Sequence, residues 1–160
     1  MKILFVRHAI AADREDFPGD DMLRPLTDRG KKRARRAFHG LRRIYSSIDL
    51  VYVSPALRAR QTGRILKRFY DSATFIETPL LSPDQADFPA IDELMRKTPA
   101  ETIAIVGHEP NLTQLAAFLL RVETLPFELA KAGVLVLDID ETRVQMESLL
   151  TARILRRLYG

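Results

Sequence analysis

The chain has 160 residues, enough for one domain with a real core, and its 46% hydrophobic and 29% charged content is that of an ordinary globular protein. It has no cysteine, which excludes disulfides, thiolate metal sites and a cysteine nucleophile, and its net charge of +4 favours anionic partners only mildly. No apolar run is long enough to cross a bilayer, and the first residues lack the apolar length and cleavage site of a secretory signal, so a cytoplasmic location with no membrane partner is expected.

Residues 3–6 (ILFV) form a near-continuous apolar run, the pattern of a strand covered on both faces. Beyond it, Ala34, Ala37, Phe38, Leu41, Ile44 and Tyr45 recur at steps of three and four, predicting an amphipathic helix with Thr27 as its N-cap. A second run, LVYV at 50–53, leads into SPALRARQTGRILKRFY. There Ser54 is expected to cap a helix, Pro55 to take its first position, and Thr62, Ile65, Leu66 and Phe69 to form the inner stripe. A weaker helical pattern covers 87–97. The third run, TIAIV at 102–106, precedes a helix with Leu112, Leu115, Ala116 and Leu119 inward. GVLVLDID and RVQMESLL flank Glu141-Thr142 as an antiparallel hairpin at one sheet edge, and 151–160 reads as a closing helix. No repeat or linker divides the chain. The expectation is a single domain over 1–160, a three-layer α/β/α fold with a mainly parallel sheet and that antiparallel edge hairpin.

In open α/β sheets, ligands bind beyond the carboxyl ends of the strands. The first apolar run ends in Arg7-His8, the second in Ser54-Pro55 with Arg58 one turn into a helix, and the third in Gly107-His108-Glu109-Pro110-Asn111. Singly, each has a plain alternative. An arginine after a strand is most often solvated, a histidine in a turn is more often structural, and Ser-Pro needs only a capping role. Arg64 and Arg68, on the same helix, read as solvent-face residues. The argument rests on all four charged or imidazole groups meeting at one rim.

Two arginines and two histidines, without a carboxylate pair or metal cluster, describe a site for a phosphate-sized dianion. Guanidinium groups match phosphoryl oxygens bidentately, and the first turn of a helix favours an anion. Neighbouring arginines disfavour protonation of His8, leaving a neutral imidazole able to attack phosphorus and form a covalent phosphoimidazole that water cleaves. His108 can donate to the equatorial oxygens.

The motifs RHA (7–9), SPALRARQT (54–62) and GHEPN (107–111) resemble those of the histidine phosphatase, or phosphoglycerate-mutase-like, superfamily. LRPLTDRG at 23–30 narrows the similarity to the small SixA-like phosphohistidine phosphatases, and the likeness covers almost the whole chain in order. The resemblance implies a phosphoglycerate-mutase-like fold, with His8 as the phosphorylated nucleophile and Arg7, Arg58 and His108 as its phosphate pocket. Arg24 looks like an additional pocket or substrate-facing cation. It implies no cofactor and no metal. Two departures stand out. Ala9 occupies a position where the superfamily usually has Gly, which matters only if that position needs a positive φ. The acidic proton donor of larger relatives has no clear counterpart, Asp84 and Glu109 being weak candidates.

Few acids and many cations suit P–N cleavage better than P–O cleavage, because a departing alkoxide needs a proton donor whereas a ring-protonated imidazole leaves readily. The expected function is therefore a phosphatase acting on phosphohistidine in a signalling or phosphotransfer protein. A small-molecule phosphomonoesterase or mutase of the same superfamily is the nearer alternative. A non-catalytic phosphate-binding module is the alternative from another class. The basic run RGKKRARR lies opposite an apolar stripe and reads as a solvated helix face open to an acidic protein partner, not a nucleic-acid site. DREDFPGDD, with five carboxylates, lacks calcium-loop spacing and reads as a mobile surface loop near the site, one that steers anions away or helps phosphate leave.

Overall fold

Strand β1 (Lys2–Arg7) is an interior strand of a six-stranded sheet, and it explains the layering by itself. Leu4 and Val6 point into one apolar cluster while Ile3 and Phe5 point into another on the opposite face, all four fully buried. This is the alternation of a strand with both faces covered, so the sequence shows an unbroken apolar run. The structure, a computed structural model, describes residues 1–159. Gly160, the last residue of the expected closing helix, lies outside the described residues.

The remaining strands are β2 (Leu50–Val53), β3 (Thr74–Glu77), β4 (Thr102–Gly107), β5 (Val134–Ile139) and β6 (Val144–Leu150), arranged in the order β3-β2-β4-β1-β5-β6. β3, β2, β4 and β1 pair in parallel, whereas β5 runs antiparallel to β1 and β6 antiparallel to β5. The expected edge hairpin is therefore present. Its turn is closed by the Asp140 carboxylate, which accepts from the backbone N–H groups of Thr142 and Arg143. β3 has no counterpart in the sequence reading. It is a four-residue edge strand with three exposed positions, too short and too polar to register as a core run.

On one face lie α1 (Asp28–Ile44), α2 (Leu57–Lys67) and α5 (Ala152–Arg157); on the other lie α3 (Phe88–Arg96) and α4 (Asn111–Leu120). Thr27 caps α1 as its position predicts, accepting from the N–H of Gly30 at 3.0 Å. Two glycines in α1 are set by close approach. A methyl group at Gly30 would lie 2.1 Å from the Ile10 carbonyl oxygen, and one at Gly40 would lie 2.0 Å from that of Leu155. The first contact seats α1 on the segment leaving β1; the second lets α5 pack against α1. α2 departs from expectation at its start. Its N-cap is Ala56, without a side-chain cap, so Ser54 and Pro55 precede the helix and do not begin it. Arg64 and Arg68 are exposed, as expected. No helix among the described residues is long and apolar enough to cross a membrane.

Candidate active site

Parallel pairing puts the carboxyl ends of β1, β2 and β4 at one edge of the sheet. The His8 N–H donates to Gly107 O at 3.0 Å and the Ser54 N–H to Val106 O at 3.0 Å, so the residues following all three strands share one rim. Because β5 is antiparallel to β1, its amino end reaches the same rim and brings Lys131 with it. The result is a cavity of about 500 Å³ walled by Arg7, His8, Arg24, Arg58, His108 and Lys131, with Asp21, Asp84 and Glu109 also on its lining. Every site residue expected from the sequence is on this wall.

His8 is 4% exposed, and its ring is fixed by a 2.8 Å contact between Nδ1 and the carbonyl oxygen of Ala9. A carbonyl only accepts, so Nδ1 carries the proton and Nε2 carries the lone pair. Burial pushes the His8 pKa down to about 2, with further lowering from the charges of Lys131, His108 and Arg58. The ring is neutral at ordinary pH. The direction agrees with the sequence argument but the leading cause does not: desolvation outweighs neighbouring cations, and Lys131 stands ahead of Arg58. Ala9 is buried, and its N–H donates to Thr62 Oγ1 at 3.0 Å. Among the described non-glycine residues only Arg121 and Ala132 have a positive φ, so alanine at position 9 is unstrained.

Arg7 donates from one terminal nitrogen to the Leu129 carbonyl oxygen, leaving its buried Nε without a protein partner. Arg58 is held twice by one residue: Nη2 lies 2.9 Å from the Asp21 carboxylate and Nη1 donates to the Asp21 carbonyl oxygen at 2.7 Å. Its Nε is likewise buried and unpartnered. Arg24 donates to Asp21 Oδ1 at 2.9 Å and to Ala12 O at 2.7 Å. Burial pushes the Asp21 carboxyl upward, but the hydrogen bond from Arg24 and the charges of Arg58, Arg24 and Arg14 outweigh it and hold the group below its usual range. The far end of the acidic loop is thus bound to the cations of the site, unlike the free surface loop the sequence led us to expect.

The His108 ring lies 5.1 Å from that of His8, centroid to centroid. Its Nε2 is 2.8 Å from Ser54 Oγ, which also accepts from the Ala56 N–H at 3.3 Å. Among the described residues Ser54 has no other acceptor for its hydroxyl proton, so assigning that proton to Nε2 satisfies both groups and places the His108 proton on Nδ1. That Nδ1 is the third buried, unpartnered donor of the site. Burial first, then the charges of Arg58 and Lys131, push the His108 pKa down to about 3. Ser54 is thus an orienting partner of His108, which replaces the capping role inferred from sequence.

Lys131 is the residue that sequence reasoning missed. Its Nζ lies 3.4 Å from His8 Nε2, and burial together with Arg7, Arg24 and Arg58 lowers its pKa to about 8. The next residue, Ala132, has φ of 55° and donates its N–H to Arg7 O and His8 O, a left-handed turn that locks the segment against β1. Its place follows from the pairing: once β5 runs against β1, the residues before β5 belong to the rim.

The acid candidates separate. Both Glu109 oxygens are engaged, one by the Leu129 N–H at 3.2 Å and one by Thr113 Oγ1 at 2.6 Å, so Glu109 ties the 129 segment to α4. Asp84 is exposed on a loop held by Asn111, whose side-chain amide donates to the carbonyl oxygens of Pro83 and Gln85. Among the described residues no group of His, Asp or Glu is arranged to hold a metal ion.

An uncharacterized protein of Picosynechococcus sp. (strain PCC 7002) is 32% identical over 152 residues, covering 91% of this chain and 89% of its own. The protein histidine phosphatase SixA complexed with tungstate superposes with a TM-score of 0.85 at 23% identity, over 96% of this chain and 98% of that one. The α-ribazole phosphatase of Shigella flexneri gives 0.77 at 18% identity, over 95% and 97%. A phosphoserine phosphatase of Entamoeba histolytica in complex with 3-phosphoglyceric acid gives 0.73 at 15%, over 96% and 98%. At these identities the three structures establish the shared α/β fold. The family model matches residues 3–82, a span that takes in His8, Arg24 and Arg58, and with it the chain belongs to the histidine phosphatase superfamily (branch 1).

Proposed function

We propose that this protein is a phosphohistidine phosphatase acting through a covalent phosphoenzyme on His8. The observation that carries the reading is the set of three buried donors without protein partners, Arg7 Nε, Arg58 Nε and His108 Nδ1, on one cavity with a neutral His8. Buried polar groups are normally paired, and a phosphoryl group supplies three equatorial oxygens to pair them. One structural neighbour is a protein histidine phosphatase complexed with tungstate, a phosphate-like oxyanion, which supports a phosphoryl-binding reading.

In the proposed cycle, the lone pair on His8 Nε2 attacks phosphorus while Arg7, Arg58, His108 and Lys131 stabilise the spreading charge, and Arg24 extends this cationic wall. The P–N bond of the substrate breaks, and the imidazole protonated on its other nitrogen leaves as a neutral ring. Water then attacks the phosphoryl group on His8, and Nε2 recovers its lone pair as phosphate departs. Through both steps Nδ1–H stays on the Ala9 carbonyl, so His8 needs no change of tautomer.

The choice of phosphohistidine over a phosphate ester rests on the acids. Asp21 is ion-paired and Glu109 is doubly hydrogen-bonded, so neither is free to protonate an alkoxide. Asp84 keeps the phosphomonoesterase reading in play. Hydrolysis of a phosphohistidine-bearing protein is therefore to be compared with that of sugar phosphates, for wild type and Asp84→Asn. Preference for phosphohistidine, unaffected by Asp84→Asn, is expected. Preference for sugar phosphates that collapses in Asp84→Asn would assign the protein to the other class.

A further inference from the structure

The basic run in α1 has a counterpart across the surface. α5 packs against α1 at Gly40, and the side of this pair nearest the active site holds a second cavity of about 240 Å³. Its lining is mostly small and apolar, including Ala9, Gly30, Ala130 and Ala152, while Arg33, Arg153 and Arg156 stand around it. Arg33 and Arg156 are half-buried, and among the described residues none of the three arginines is within salt-bridge distance of a carboxylate. Desolvation and the like charges of Arg29 and Arg156 both disfavour the charged form of Arg33. Two half-buried guanidinium groups without a carboxylate, with the exposed Arg153 beside them, make this cavity a place suited to negative charge.

Lys131 lines this second cavity as well as the catalytic one. The two cavities therefore adjoin at Lys131. We propose that this cavity is a docking site for the segment of the protein substrate next to its phosphohistidine, taking a small apolar side chain on its floor and an acidic side chain against Arg33 and Arg156. The inference rests on the phosphohistidine phosphatase reading and deepens it by naming what the enzyme recognises beyond the phosphoryl group. An acidic flank also gives Arg33, in the basic run of α1, a partner without invoking nucleic acid. Charge complementarity at a rim contributes selectivity and association rate and is weakened by salt.

Two synthetic histidine peptides, identical except for Glu or Gln beside a small apolar residue, separate the possibilities. Each is used unphosphorylated, with a fluorescent label, to read binding by anisotropy, and phosphorylated, to read turnover. Wild type is expected to bind and hydrolyse the Glu peptide about five- to tenfold better at low salt, as two partly exposed ion pairs provide. Arg33→Ala/Arg156→Ala is expected to lose that preference while hydrolysing acetyl phosphate at the wild-type rate. Equal binding of both peptides by wild type, or a preference that survives in the double variant, overturns the docking site. Retained Glu-peptide binding with no turnover of either phosphopeptide leaves the docking site standing and overturns the phosphohistidine reading.

Discussion

Lys131 Nζ stands 3.4 Å from His8 Nε2, a cation placed against the one ring nitrogen that carries a free electron pair. The pair is self-consistent. Burial first, and then the charge on Lys131, keep His8 unprotonated, and a phosphoryl group arriving on Nε2 meets that same charge.

Loss of this cation is expected to lower kcat/KM by about 10- to 100-fold in Lys131→Met, the scale of removing one preorganised charge from a transition state. Because the Lys131 pKa is lowered to about 8, the ammonium is present below that pH and lost above it. The wild-type pH profile of kcat/KM should fall on its basic side with an apparent pKa near 8. In Lys131→Arg that basic limb should move out of range. An unchanged limb would assign it to another group.

Ser54→Ala tests the orientation of His108. Without the hydroxyl, the buried Nε2 loses its donor and the ring is free to carry its proton on the wrong nitrogen. The expected result is about a tenfold fall in kcat with KM little changed, and about 1–2 kcal/mol of lost stability from an unsatisfied buried acceptor. Ser54→Thr keeps the hydroxyl and should restore much of the activity if it fits. Equilibrium denaturation alongside steady-state kinetics separates the two effects.

Asp21 competes with substrate for Arg58 and Arg24 while holding Arg58 in place. Asp21→Asn removes the negative charge and keeps the shape and the backbone contact. Inorganic phosphate should then bind about three- to tenfold more tightly as product inhibitor, in keeping with the loss of one nearby like charge. Weaker phosphate binding would show that Asp21 matters mainly for holding Arg58.

His8 and His108 also make stability depend on pH. Both folded pKa values, about 2 and about 3, lie below the ordinary 6.5, so the unfolded chain binds more protons as pH falls from 6.5. Their neutral burial stabilises the fold fully above pH 6.5, and that contribution drains away on acidification, by about 1.4 kcal/mol per pH unit for each ring. Between about pH 6 and 5, above the main carboxylate range, His8→Asn and His108→Asn should each flatten the fall by that slope. Urea denaturation at stepped pH reads it directly.

Much of this candidate site was legible because its residues follow apolar strand runs: Arg7-His8, Ser54 and Gly107-His108 each mark the carboxyl end of a parallel strand. The helices were legible where one face is strictly apolar, as at Ala34, Phe38 and Leu41. Lys131 was hidden because its position depends on which way β5 runs beside β1, a long-range pairing with no local trace. Ser54 misled because a serine before a proline and a helix satisfies capping rules, while its true partner, His108, lies 54 residues away. The role of Asp21 was masked by an acidic stretch in which most neighbouring carboxylates are solvated. β3 escaped because an edge strand exposed at three of four positions leaves no apolar signature.

Brief exposure to an isotopically labelled phosphohistidine protein or phosphoramidate, followed by quenching and peptide mapping, tests the chemistry most directly. The account predicts an acid-labile, base-stable label on His8 that appears before phosphate is released, and no label or turnover in a folded His8→Ala protein. Turnover by His8→Ala, or a label residing on any other side chain, would contradict it.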